Sequence, residues 1–423
     1  MKGIRWVVLA ILVFASAGAY VLRTNFNIVS ETMMRDLGMN EYQLGMVFSA
    51  FAAGYAIFQF PGGIFGYKYG PRFTITLIAV AWTVLTVITA VIPGNDVLSV
   101  ATIVVALIVT RFLVGALHAP FFPVTIGGTI ASWFPLRQWG LSNGLTSTGL
   151  TIGAAATAPI IVWLMDAYGW RSALLITAPV GLLVAIIFRW YVTDDQKDHS
   201  QITDEELRLI ASDRPAAGHV PKKGAWKVAL KNRNVLLITG SYFCMNYLFY
   251  LFFSWFFFYL TDIKGLSNTD AGLFVSAQWI LGAIGATAGG VICDVLVRRL
   301  GVRSGPRLLT MTGLLASAGF LYLGAVSGNP VLSVVFLCLS FGCNQLTEAP
   351  IWVATMAVSG RHASVATGIL NTGGNIPGIL GGVLVPITAG LFGWAAAMAT
   401  GSVFAVVGAL LWLFIRADEP MSD

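Results

Sequence analysis

Thr110-Arg111-Phe112-Leu113-Val114-Gly115-Ala116-Leu117-His118-Ala119-Pro120-Phe121-Phe122-Pro123 lies inside an apolar run that opens near Leu98 and is long enough to cross a bilayer. An arginine in such a run is costly and faces protein or water rather than lipid. Arg111 and His118 stand seven residues apart, so they share one helix face, about 10 Å apart along the axis. A fixed cation and a titratable ring on one buried face point to a site for something negatively charged.

The totals agree with a membrane setting. Of 423 residues, 57% are hydrophobic and 10% charged, with a mean hydropathy of +0.79, whereas soluble domains carry about 25% charged residues. The net charge of +6 comes from lysines and arginines in connecting loops and does not argue for nucleic acid. Cys244, Cys293, Cys338 and Cys343 lie in or at the ends of apolar runs without metal-ligand spacing, and read as buried thiols. Three of the four histidines (His199, His219, His362) fall in polar connections. Lys2, Arg5 and Ala15-Ser16-Ala17 mimic a signal peptide. The apolar run continues through Tyr20 and resumes to Val29, so an uncleaved first span is expected.

Twelve runs reach spanning length: about 6–30, 43–66, 73–93, 98–124, 141–165, 172–192, 235–261, 270–293, 306–327, 330–356, 365–389 and 393–415. The expected fold is all-α and polytopic, with twelve transmembrane helices in two pseudo-symmetric halves. Residues 1–193 and 235–423 form the six-helix halves. Residues 194–234 form a linker with a short surface helix, opened by the capping box Thr203-Asp204-Glu205-Glu206. A basic segment follows: Lys222, Lys223, Lys227, Lys231 and Arg233. With a cytoplasmic N-terminus, twenty of the twenty-five lysines and arginines fall in cytoplasmic segments. Three (Arg35, Arg171, Lys264) fall outside, and two (Arg23, Arg111) lie within spans. That bias puts both termini and the linker in the cytoplasm.

The halves repeat. Thr148-Gly149 and Gly169-Trp170 match Thr372-Gly373 and Gly393-Trp394 at a constant offset of 224, which Gly144 and Gly368 also fit. His118-Ala119-Pro120 finds Glu348-Ala349-Pro350 at 230, and Gly62-Gly63 through Arg72 finds Gly289-Gly290 through Arg303, starting at 227. Duplicated halves suggest a transporter with a mid-membrane site between them, working by alternating access.

Twelve spans, a central linker and the loop after span 2 resemble the major facilitator superfamily. The family's loop reads Gly-x-x-x-Asp-[Arg/Lys]-x-Gly-x-Arg. Gly63, Lys68, Gly70 and Arg72 match it, with Tyr67 in place of the aspartate; the second copy keeps Gly290, Asp294 and Arg298. In the family this loop stabilises one conformation through ion pairs. Within the superfamily the chain looks like the anion:cation symporter branch, which includes sugar-acid permeases and the animal sialic acid, phosphate and glutamate carriers. Leu22-Arg23-Thr24-Asn25, Tyr55 to Gly63, Arg111 to Pro123, Gly169-Trp170-Arg171 and Trp255 to Leu260 carry that likeness. The resemblance implies that Arg23 and Arg111 hold a substrate carboxylate. Proton-coupled members place an aspartate before the first arginine and a glutamate seven after the second; Leu22 and His118 stand there here.

Read as residues, Arg23 and Arg111 are either an anion clamp, since a guanidinium gives a carboxylate two parallel bonds, or structural donors to carbonyls. His118 is a proton carrier, a donor to substrate, or packing. Glu348, mid-span and pseudo-symmetric to His118, is a proton site to which coupling has moved, or a strut. Asn371 and Asn375, joined by Asn344, Gln345, Gln278 and Asn246, suit sugar hydroxyls or interhelical bonds. Among the span 7 aromatics, Tyr247 or Tyr250 is expected to line the site.

No phosphate-cradling loop, zinc spacing or nucleophile elbow occurs, which argues against a pump or membrane hydrolase; no cofactor or metal is expected. The expectation is a monomeric inner-membrane carrier of a small organic anion, such as a sugar acid, with protons as coupling ion. An uncoupled exchanger and a non-transporting sensor are the rivals.

Overall fold

The computed structural model describes residues 3–135, 138–211, 230–359, 363–419 and 421. All regular elements among them are helical. In chain order they are α1 (Ile4–Asp36), α2 (Glu41–Tyr69), α3 (Pro71–Val91), α4 (Val100–His118), α5 (Trp139–Thr177), α6 (Pro179–Tyr191), α7 (Asp204–Ala211), α8 (Arg233–Phe258), α9 (Asn268–Val326), α10 (Pro330–Leu346), α11 (Glu348–Ser359), α12 (Ala363–Phe392) and α13 (Trp394–Leu411).

Nine helical stretches among the described residues are long and apolar enough to cross a membrane, and a pair bent by 54°, Glu41–Gln59 with Pro61–Tyr69, makes a tenth. Two of the nine, Leu141–Tyr191 and Asn268–Val326, run 51 and 59 residues. They break at Gly169 and Gly301, so each holds two crossings and the total is twelve. Gly169 (φ 80°) and Gly301 (φ 81°) share their backbone state with Gly393 (φ 82°) and Gly70 (φ 81°). A side chain disfavours that conformation, which is why these glycines recur at matching turns of both halves.

The chain clusters into two units: residues 1–40 with 50–218, and Glu41–Ser49 with 219–423. In the first, Val8, Leu12, Ala15, Ala19 and Leu22 of α1 pack with Ile75, Ile78 and Trp82 of α3 and Val184 and Phe188 of α6. In the second, Tyr242 and Met245 of α8 pack with Ile351, Ala354 and Val358 of α11 and Leu370 of α12. Ser49 belongs to that second unit through its bond to Ile379 O (2.7 Å). Apolar side chains such as Val84, Val109, Ile152, Leu183 and Val403 remain exposed, as suits a lipid-facing surface.

The fourth crossing departs from the expected 98–124. It breaks after His118 at Ala119-Pro120, resumes at Phe121–Pro123, widens to a π-helix over Val124–Ile130 and ends at Trp133. Pro120 and Pro123 each remove a backbone donor, so the ladder cannot continue unbroken. The tenth crossing breaks at Thr347, with Glu348 opening α11 and Pro350 tolerated in its first turn. The repeated Ala-Pro therefore marks a break in both halves.

The short helix α7 opens with Thr203 Oγ accepting from Glu206 N (3.3 Å). Glu206 does not turn back to Thr203. Its carboxylate caps α1, accepting from Ile4 N (3.0 Å), Arg5 N (3.1 Å) and Arg5 Nη1 (3.2 Å). This clasps the linker to the start of the first span, where an anion suits the positive helix end. We expect Glu206→Ala to cost about 1–2 kcal/mol, the value of a lost N-cap, and Glu206→Gln less; thermal unfolding in detergent checks this. Lys222, Lys223 and Lys227 lie outside the described residues.

The loop motifs also find unexpected partners. Tyr67, in place of the aspartate, is 94% exposed. Asp194, beyond the sixth span, accepts from Arg72 N (2.7 Å), and the Arg72 guanidinium donates to Arg189 O (2.9 and 2.6 Å). Gly63 is clear of tight contacts, Gly70 lies against Asp194, and Lys68 lies over Tyr69. In the second copy Gly290 faces Ala349, Arg298 donates to Asp294 O, and Arg303 pairs with Asp418 (3.5 Å). Asp194 and Asp418 stand 224 residues apart, the repeat's own offset. That signal was available in the sequence.

Candidate functional site

In the first unit the structure brings Arg23, Arg111 and His118 together around one ring, Phe51. Arg23 Cζ stands 5.1 Å from the Phe51 centroid, Arg111 Cζ 5.0 Å, and the His118 ring 6.0 Å. Both guanidiniums are thus about 5 Å from a shared point, so their carbons are at most about 10 Å apart. Each arginine is 4% exposed.

The helices position them through small residues. A Cβ on Gly54 of α2 would meet Phe112 O, and one on Gly115 of α4 would meet Phe51 O. The bare backbones let α2 approach α4 closely, and this puts Phe51 one turn from Arg111. On α1, Tyr20, Arg23 and Phe26 follow at three-residue spacing on one face. Tyr20 OH accepts from Arg23 Nη1 (3.3 Å), and the Tyr20 and Tyr55 rings lie 5.1 and 5.0 Å from Arg23 Cζ. Phe26 lies 4.3 Å from Arg111 Cζ.

Among the described residues Arg111 has no hydrogen-bond or ion-pair partner, and its Nε is buried without one. Aromatic faces are worth about 0.5–2 kcal/mol each to a cation, well short of the several kcal/mol that removing an ion from water costs. Arg111 is therefore a buried cation that no acidic side chain among the described residues balances.

His118 is buried. Nδ1 lies 3.0 Å from Val114 O and Nε2 3.1 Å from Ala19 O. Its ring stacks on Trp82 at 4.3 Å. Both nitrogens are engaged by the main chain of α4 and α1.

In the second unit Glu348 Oε1 accepts from Tyr242 OH (3.1 Å) and Trp352 Nε1 (2.7 Å). No basic side chain among the described residues pairs with Glu348. Asn246 donates to Tyr242 O (3.0 Å). Tyr250 OH donates to Asn375 Oδ1 (2.8 Å), and Asn375 donates to Asn371 O (2.7 Å). Tyr247 is turned elsewhere: its hydroxyl shares a hydrogen bond with Thr400 (3.0 Å) and its ring stacks on Phe404. Among the described residues, fully buried Asn344 has no partner for either amide atom, and the Gln278 and Gln345 side-chain oxygens have none either. These three are not hydrogen-bonded into the Tyr250–Asn375–Asn371 chain.

Phe51 and Tyr55 escaped the sequence reading as arginine partners. The one available signal was Gly54 facing Gly115 on crossings already assigned.

Twelve crossings in a repeated helical array, with buried cations in one repeat, define a multi-pass membrane transporter rather than an enzyme. The chain belongs to the Major Facilitator Superfamily, whose model matches residues 12–382. It is 29% identical over 381 residues to a "Probable sulfoacetate transporter" of Cupriavidus necator, covering 90% of this chain and 86% of that one. It is 29% identical to the hexuronate transporter of Bacillus subtilis (94% and 92% covered). It is 27% identical to a "Probable galactarate/D-glucarate transporter" of Escherichia coli (98% and 93%). Among solved structures, a bacterial homolog of the human lysosomal transporter Spinster, inward-facing and unoccupied, aligns with a TM-score of 0.79 at 16% identity, covering 98% and 97%. The nucleoside transporter NupG aligns at 0.70 and 13%, covering 96% and 99%. At these identities the structures speak to the fold alone.

Proposed function

We propose that the protein carries a small organic anion, a sugar-acid-like carboxylate, into the cell together with protons. The single observation that carries this reading is Arg111, a buried guanidinium without a partner beside Arg23. A carboxylate across the two forks would supply the missing charge and bidentate bonds. Relatives named as a hexuronate transporter and as probable sulfoacetate and galactarate/D-glucarate transporters support an anion. His118 and Glu348 are the two candidate proton groups. The lysine and arginine bias supports a bacterial-type inner membrane with both termini cytoplasmic, and we take the carrier to be a monomer.

The test is uptake of labelled D-glucuronate, D-glucarate and sulfoacetate into proteoliposomes, with and without an inward proton gradient. Uptake that the gradient stimulates supports symport. Uptake of none of the three rejects the reading. Uptake indifferent to the gradient would favour the uncoupled exchanger, which Leu22, buried and apolar where proton-coupled members carry an acid, already favours.

Asn371, Asn375 and Tyr250 offer amides and a hydroxyl to a polyol chain. Tyr250→Phe leaves Asn375 Oδ1 short of a donor, at about 1–3 kcal/mol. We expect it to raise KM for D-glucarate more than for sulfoacetate, which has no hydroxyls. Tyr247→Phe, on the Thr400 side, should leave that ratio unchanged. Uptake kinetics for the two anions check both.

A further inference from the structure

His118 presents both ring nitrogens to oxygens that can only accept: Val114 O at 3.0 Å and Ala19 O at 3.1 Å. Each contact is a hydrogen bond only if that nitrogen carries a hydrogen. A neutral imidazole has one N–H and an imidazolium has two. The neutral ring therefore satisfies one carbonyl and turns a lone pair toward the other. The cationic ring satisfies both, and the Trp82 face, stacked at 4.3 Å and 23°, lies where a cation prefers it. The residue is 4% exposed, so solvent does not relieve the mismatch. The cage is shaped for the charged ring.

Burial opposes that charge first, and the surrounding cations add to it. On α1 the charged neighbour is Arg23 and on α4 it is Arg111. From α2 come Phe51 and, stacked on it, the titratable Tyr55, which stands over Arg23. From α3 comes Trp82, without charge. Both guanidiniums lie against the same Phe51 ring that His118 meets at its edge. A third cation there is repelled by the two guanidiniums, and a bound anion would offset that repulsion.

We infer that His118 takes up a proton when an anion binds Arg23 and Arg111, so that anion and proton occupy the first unit as a neutral pair. The proton, from water, adds to the lone pair of the ring nitrogen that lacks hydrogen, and no other bond forms or breaks. The added positive charge matches one carboxylate. The inference rests on the proposed anion clamp and assigns the anion-linked proton to His118 rather than to Glu348. A carboxylate carrier can load its proton before substrate; this histidine loads it because of substrate.

The experiment uses the full chain in detergent, labelled with 15N-histidine, and D-glucuronate as the probe anion. A His118→Gln difference spectrum assigns the ring among the four histidines. At neutral pH we expect one unprotonated ring nitrogen without anion and two N–H groups with it. Calorimetry in buffers of different ionisation enthalpy should give close to one proton taken up per D-glucuronate. His118→Gln should bind more weakly and take up none. Uptake that persists in His118→Gln but vanishes in Glu348→Gln, or a His118 ring unchanged by bound anion, overturns the inference. Arg111→Gln gives a ligand-independent arm. If D-glucuronate does not bind, so that the anion reading fails for this probe, removing the Arg111 charge should still move the second protonation of the ring to higher pH. A second protonation that occurs at the same pH in Arg111→Gln overturns the inference on its own.

Discussion

Arg111→Lys should lower kcat/KM for the carried anion by roughly 10–150-fold while leaving the protein folded. Lysine keeps the charge but replaces a planar fork with a point cation, so the second parallel bond to a carboxylate is lost. A hydrogen bond to a charged group is worth about 1.5–3 kcal/mol, and 1.4 kcal/mol is tenfold. The companion variant Arg111→Gln removes the charge and should abolish uptake. It should also raise the thermal midpoint, because a buried cation held by aromatic faces beside a second cation, Arg23, destabilises the folded state. A structural guanidinium would behave in the opposite way. Uptake kinetics and unfolding curves for the two variants decide between them: a fall in stability with retained uptake would remove Arg111 from the site.

Gly115→Val should have the second large effect. A Cβ at Gly115 falls onto Phe51 O, with Phe51 C at 2.9 Å and Tyr55 N at 3.0 Å. These are backbone atoms of a helix and cannot rotate aside. Overpacking costs about 1–3 kcal/mol where side chains can adjust, and more is expected here. Separating α2 from α4 also withdraws Phe51 from both arginines, so anion binding should fall with stability. Gly115→Ala is the milder probe, since its Cβ alone meets the obstacle. Gly144→Ala is the control: nothing lies within 4 Å of the added atom, and a helical glycine replaced by alanine gains about 0.5–1 kcal/mol. Unfolding midpoints in detergent should order the three variants. Equal midpoints for Gly115→Ala and Gly144→Ala would show that α2 and α4 do not meet as described.

Much of this was legible before any coordinates. Twelve crossings follow from run length, because about 20 apolar residues match the hydrocarbon core. The paired Gly169-Trp170 and Gly393-Trp394 marked the same turn twice, since only glycine takes φ near +80° without strain. Arg23 and Arg111 stood out because a charge in a span demands an explanation.

Other features were not readable from a string. Three residues along a helix rotate a side chain by about 300°, so choosing Tyr250 over Tyr247 needed the packing of α8 against Thr400 and Asn375. Nothing sets Phe51 apart among 27 phenylalanines; it matters because two bare glycines let α2 reach α4. Asp194 grips the first loop motif across a turn, which a local pattern ending at Arg72 cannot contain. The surroundings of His118 are backbone carbonyls, which every residue possesses alike. By itself the sequence determined the solvent, the number of crossings, the duplication and the presence of buried charge, because hydropathy and backbone permission are properties of single residues. The tertiary structure alone decided which aromatic face meets which guanidinium and what each histidine nitrogen touches, because those contacts join residues far apart in the chain and depend on helix rotation.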